Sequence, residues 1–136
     1  MTRFLFILSM LILQTGFVGD APDFIGMHKN DIIMAMKKEH RDFVRDDTFV
    51  NRSFNYLKYV DRYGEQTLLF FLSEKDLCTS IRLMCDYSYL DGSLDELNKS
   101  FQLVNDSTWS SSENGNHYRI SLNKGDWFYT VSTKKE

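Results

Sequence analysis

Cysteine is nearly absent from this 136-residue chain, which holds two, Cys78 and Cys85. Two thiols exclude a disulfide-stapled scaffold, and they are too few for a structural zinc site built on cysteine pairs. The three histidines, His28, His40 and His117, are far apart, and none belongs to an H-E-x-x-H arrangement, so no metal-ligand set is visible. Proline occurs once, as Pro22, and glycine seven times, which rules out a linker-rich or low-complexity chain. The net charge is −3 and no block of like charge exceeds three residues, an argument against nucleic acid as a partner, because phosphate binding needs a concentrated basic face. Phosphate-binding glycine loops, dinucleotide fingerprints and the G-x-S-x-G nucleophile turn are all missing, so neither a cofactor nor a catalytic residue is implied. No apolar run reaches the length of about 20 residues that a membrane-spanning helix needs.

What is present begins with a leader. Arg3 precedes the apolar run Phe4 to Leu13, broken only by Ser9, and small residues Gly16, Gly19 and Ala21 follow. This is the layout of a secretory signal peptide, with Gly19 and Ala21 as small residues at the recognition positions. The reading is therefore a leader at 1–21 and a single domain at 22–136, periplasmic or secreted, with no membrane span once the leader is removed. No cysteine follows the apolar run, so no lipid anchor on a cysteine is on offer.

The first helix is predicted over about Lys29 to Glu39. Ile32, Ile33, Met36 and His40 fall on one stripe, Asp31 favours the positive end of the helix dipole, and Lys37 and Lys38 favour the negative end. The period then changes to two. "FNYLKYVD", "QTLLFFL" and "LCTSIRLMCDY" read as three strands joined by turns at Gly64 and around "SEKD". "QTLLFFL" is a continuous apolar run, expected to be buried on both faces. A second helix is predicted from Ser93, where S-L-D-E has the form of a capping box, with Leu94, Leu97 and Phe101 as its stripe. "STWSSS" and "HYRISL" flank Asn114-Gly115, a strong hairpin signal, and "DWFYTVST" ends the domain, with room for a short strand around Phe101 to Val104. Helices and strands do not alternate singly, so a parallel sheet is not expected. The fold class is α+β: an antiparallel sheet of five or six strands with two helices on one face, in the order α-βββ-α-βββ.

On a straight third strand, Cys78 and Cys85 lie roughly 23 Å apart and point to opposite faces, too far for a disulfide, which only a sharp bend near Ser80 would allow. Cys85 is then expected beneath the helices, and Cys78 on the open face beside Arg82, the more reactive thiol of the two.

Helices cover one face of such a sheet, so some of the many strand aromatics should line the other as binding anchors. The candidate binding residues are Tyr56, Tyr118, Trp127 and Tyr129. The function expected is a non-enzymatic binding or protein-interaction module, whose ligand is a protein or a small molecule. Two alternatives remain open: a small secreted hydrolase, which would show a deep cleft with two converging carboxylates, and a structural envelope component. The acidic stretch from Leu90 to Glu96 reads as a turn and helix cap rather than a calcium loop. Three N-x-S/T triplets, at Asn51, Asn98 and Asn105, are glycan acceptors if the host glycosylates.

"FIGMHKNDIIMAMKK" resembles the opening helix of small exported bacterial domains of the SmpA/OmlA and β-lactamase-inhibitor-like group, through Gly26, Met27, Asp31 and Ile32. The chain departs from that group by lacking a lipidated cysteine and paired disulfide cysteines. The resemblance implies an α+β fold and a protein-binding sheet face, and carries over no catalytic residue.

Overall fold

The computed structural model describes residues 16–48 and 53–136. The apolar part of the expected leader and the triplet at Asn51 lie outside them. Three α-helices, α1 (Phe17–Phe24), α2 (Lys29–Glu39) and α3 (Leu90–Ser100), accompany eight strands. These are β1 (Phe43–Arg45), β2 (Tyr56–Asp61), β3 (Gln66–Leu72), β4 (Cys78–Asp86), β5 (Gln102–Asn105), β6 (Thr108–Glu113), β7 (Asn116–Lys124) and β8 (Phe128–Lys135). All form one antiparallel sheet in the order β1-β2-β3-β4-β8-β7-β6-β5. Two meanders therefore meet where the last strand pairs with β4, and α3 carries the chain from the sheet centre to its far edge.

The expectation of five or six strands and two helices is corrected by this sheet of eight strands with three helices. Two short edge strands account for much of the difference. β1 has three residues and β5 four, and every β5 residue is exposed, so neither carries the alternation that marks a half-buried strand. They are strands because a neighbour offers them a ladder. The added helix is α1, which lies in the stretch read as the end of the leader, so the expected boundary after Ala21 falls inside it.

One face of the sheet carries the core. Leu57 and Tyr59 of β2, Leu68 and Phe70 of β3, Ile81, Leu83 and Cys85 of β4, Tyr129 and Val131 of β8, Ile120 and Leu122 of β7 and Trp109 of β6 are all buried. Phe17 of α1 meets Phe70 edge to face and Phe24 meets it at a tilt, with ring centroids 5.7 and 5.3 Å apart, while Ile32 and Met36 of α2 and Leu97 of α3 close the layer. Complete burial of a ring such as Phe70 contributes about 1.5–3 kcal/mol.

α2 occupies the range its stripe predicts, and the His28 side chain caps it by accepting from the Asn30 N–H. α3 does not begin at Ser93. A 3₁₀ turn over Tyr87–Tyr89, held by Asp86 accepting from the Ser88 N–H, starts the helix three residues earlier. Ser93 is thereby inside the helix, where its hydroxyl bonds the Tyr129 phenol in the core, and Glu96 is freed to cap a different helix, α1.

Cys78 is also a correction. In the pairing of β3 with β4, Phe71 stands opposite Ser80 but Leu72 opposite Cys78, so Thr79 is an extra residue in a β-bulge. The bulge resets the alternation and turns Cys78 inward, leaving both cysteines buried and unbridged, at 2% and 1% exposure.

Candidate functional site

No described helix covers the second face of the sheet, and strand register fixes what this face displays. Three rows cross it. Val60, Thr67, Met84, Thr130 and Asn123 form one row; Lys58, Leu69, Arg82, Ser132, Ser121 and Thr108 the next; Tyr56, Phe71, Ser80, Lys134, Arg119 and Ser110 the third. The face is thus divided. On β2, β3 and β4 it is apolar and aromatic, and on β8, β7 and β6 it is hydroxylic and basic.

The apolar half is concave. Phe54, from the loop before β2 and 63% exposed, joins Tyr56, Lys58, Thr67, Leu69, Phe71 and Met84 around a groove of about 370 Å³. Arg82 borders it with its guanidinium 5.7 Å from the Phe71 ring centroid, a cation–π distance. Arg82 makes no ion pair among the described residues, whereas Lys58 reaches Asp46 at 3.3 Å and Arg119 reaches Glu136 at 2.9 Å. The Thr48 hydroxyl and amide, with Lys58, hold the Asp46 carboxyl below the ordinary carboxylate range.

The sequence-predicted aromatics separate between the two faces and a turn. Tyr56 lines the groove. Tyr118 and Tyr129 do not face outward: they share strand parity with Ile120 and Val131, and both are buried under the helices, Tyr129 completely. Trp127 is 86% exposed in the turn before β8, away from the residues that line the groove. The groove residues missed in the sequence are Phe54, Leu69, Phe71 and Met84. "QTLLFFL" reads as buried on both sides because its outward positions are as apolar as its inward ones, and that excess of apolar outward residues is itself the available signal.

A second concavity, of about 940 Å³, lies on the helix side between α1, the end of α2, β1 and α3. Phe17, Val18, Phe43 and Leu83 give it apolar walls, and Asp20, His40, Gln66, Tyr89, Ser93 and Glu96 give it polar ones. Glu96 Oε1 accepts from the Gly19 N–H at 2.8 Å, and His40 Nε2 lies 3.3 Å from Asp20 Oδ2 without the alignment of a hydrogen bond. Burial pushes the Glu96 carboxyl up, and the negative charge of Asp20 adds to this, while the Gly19 N–H opposes it. Hydrogen bonding to Glu65, with burial second, pushes the Tyr89 phenol up to about 12. Two carboxylates do converge here, yet Glu96 caps α1 and Asp20 ties α1 to His40.

No group of three or more His, Cys, Asp or Glu side chains is arranged to hold a metal ion among the described residues. None of their helices is long and apolar enough to cross a membrane. Comparison with protein-family models, curated proteins and solved structures finds no match to the chain.

Proposed function

We propose that this protein is an exported, non-enzymatic binding module that holds a protein partner on its open sheet face. The partner presents an aromatic or aliphatic side chain to the groove between Tyr56, Leu69, Phe71 and Met84, and a carboxylate beside it to Arg82. The observation that supports this reading is the groove itself. An apolar hollow on a helix-free sheet face leaves hydrophobic surface in water unless something covers it. Its position next to Arg82, which makes no ion pair among the described residues, favours an acidic segment over a basic one.

Magnitudes set the size of the footprint. Burying one anchor side chain supplies about 1.5–3 kcal/mol. A micromolar complex needs about 8 kcal/mol. The partner must therefore extend over the hydroxylic rows of β8 and β7, where Ser132, Ser121 and Thr130 offer hydrogen bonds. An extended segment lying across the strands reaches both halves of the face.

The test is capture from envelope extract by the purified protein, with Leu69→Asp and a helix-side control, Met34→Asp on the exposed side of α2, run beside it. A partner retained by the wild type and the control, but lost with Leu69→Asp, supports the reading. Equal recovery on all three surfaces refutes it. The hydrolase reading keeps one observation in its favour, the approach of Asp20 and Glu96 at the larger cavity. Turnover of a glycan or peptide library that disappears in Asp20→Asn and Glu96→Gln would replace the binding module with that enzyme.

A further inference from the structure

We infer that the leader is cut just before α1, leaving Gly16 or Phe17 as the first residue, and not after Ala21. The inference rests on the export reading above and fixes where that export step ends. A cut after Ala21 is the choice that small residues at Gly19 and Ala21 suggest, but its product would lack most of a core helix. Phe17, Val18, Ala21 and Phe24 of α1 are all buried. The Phe17 ring alone meets Phe24 at 5.5 Å, His40 at 5.3 Å, Phe43 at 6.1 Å and Phe70 at 5.7 Å between centroids. Removing it would uncover Phe70 and His40. It would also take away the Gly19 N–H that Glu96 accepts from and the Asp20 carboxylate beside His40.

A cut at the start of α1 disturbs none of these contacts. Gly16 is exposed, has extended backbone and stands outside the helix as its N-cap, and Thr15 or Gly16 places a small residue immediately before such a cut, with Leu13 or Gln14 two residues further back. When the cut leaves Gly16 first, the product carries a new charge in a specific place. The Gly16 backbone abuts Glu96 so closely that a Cβ there would lie 2.6 Å from Glu96 Oε2. Backbone geometry puts the Gly16 nitrogen within about 5 Å of that oxygen. A new α-ammonium on Gly16 therefore faces a half-buried carboxylate that no lysine or arginine contacts among the described residues. Each charge favours the ionised form of the other at this range. Cutting also leaves α1 held at its first turn by an ion pair as well as by the Gly19 hydrogen bond.

The experiment is expression of the full-length gene in a bacterial host, followed by N-terminal sequencing and intact mass of the protein recovered outside the cytoplasm. A first residue of Gly16 or Phe17 is expected. A first residue of Pro22 overturns the inference and leaves export standing. An uncut chain outside the cytoplasm also overturns it, and an uncut chain held inside the cell overturns the export reading as well. The ion pair has its own readout in a purified product that begins at Gly16. At pH 8 the α-amine should react with an amine-labelling reagent several-fold more slowly in the wild type than in Glu96→Gln, a variant that keeps the acceptor for Gly19. Equal rates, in variants with the same circular dichroism, would remove the ion pair from the account.

Discussion

Alkylation of Cys78 and Cys85 probes the β4 bulge and the depth of the core together. Burial chiefly pushes the Cys78 thiol from its ordinary value of 9.0 up to about 12, and that of Cys85 up to about 11. The thiolate is the reactive form, and each unit of pKa removes a factor of ten from it well below the pKa, so at pH 8 Cys78 is about a thousandfold and Cys85 about a hundredfold less reactive than a free thiol. Exclusion of reagent from side chains at 2% and 1% exposure lowers both rates further. Because both side chains are closed to reagent in the folded state, reaction proceeds through opening of the core, which exposes both residues at once. Iodoacetamide treatment in native buffer, with peptide mass mapping over time, should show Cys78 and Cys85 labelled slowly and in step, both accelerating as urea is added. Fast labelling of Cys78 with Cys85 protected would refute the reasoning. It would mean that β4 runs straight through Thr79 and that Cys78 lies on the open face.

The other perturbations follow from single contacts. Tyr129→Phe strands the buried Ser93 hydroxyl and should cost about 1–3 kcal/mol in urea denaturation, whereas Trp127→Ala, at 86% exposure, should stay within about 0.5 kcal/mol of the wild type. Trp109→Phe removes the indole N–H that Asn98 Oδ1 accepts at 3.0 Å and should lower the melting temperature by several degrees; an unchanged melting temperature would contradict that role for the indole. Gly115 turns the β6–β7 hairpin at φ +81 beside Asn114 at φ +51, so Gly115→Ala should cost about 1–2 kcal/mol; an unchanged denaturation midpoint would show that the turn relaxes to negative φ.

Elements whose own pattern decides their structure were legible before the fold was known. α2 is one, because its stripe and end charges agree, and the hairpin at Asn114-Gly115 is another, because positive φ there demands those residues. What escaped depends on distant residues. β1 is a strand because β2 lies beside it, whereas β5 takes up the short strand that the sequence allows around Phe101 to Val104. The inward turn of Cys78 follows from one extra residue opposite β3, which no alternation within β4 reveals. Glu96 lies three residues after Ser93, as a capping box requires, yet it caps α1, some 77 residues away in sequence. The open face of the sheet shows the same division. Tyr56 was legible from the parity of β2, while the parity of β7 and β8 sends Tyr118 and Tyr129 inward, and Leu69 and Phe71 were hidden by the uniform apolarity of β3.

The central claim, that partners are held on the open face of β2, β3 and β4, is tested most directly by methyl and amide chemical-shift mapping with the partner that the wild-type surface captures. The account predicts shifts at the Met84 and Leu69 methyls and at the Thr67, Phe71 and Arg82 amides, with Val18, Leu83 and Leu97 unmoved. Shifts confined to Val18, Leu83 and the α1–α3 cavity, with Met84 and Leu69 silent, would contradict it.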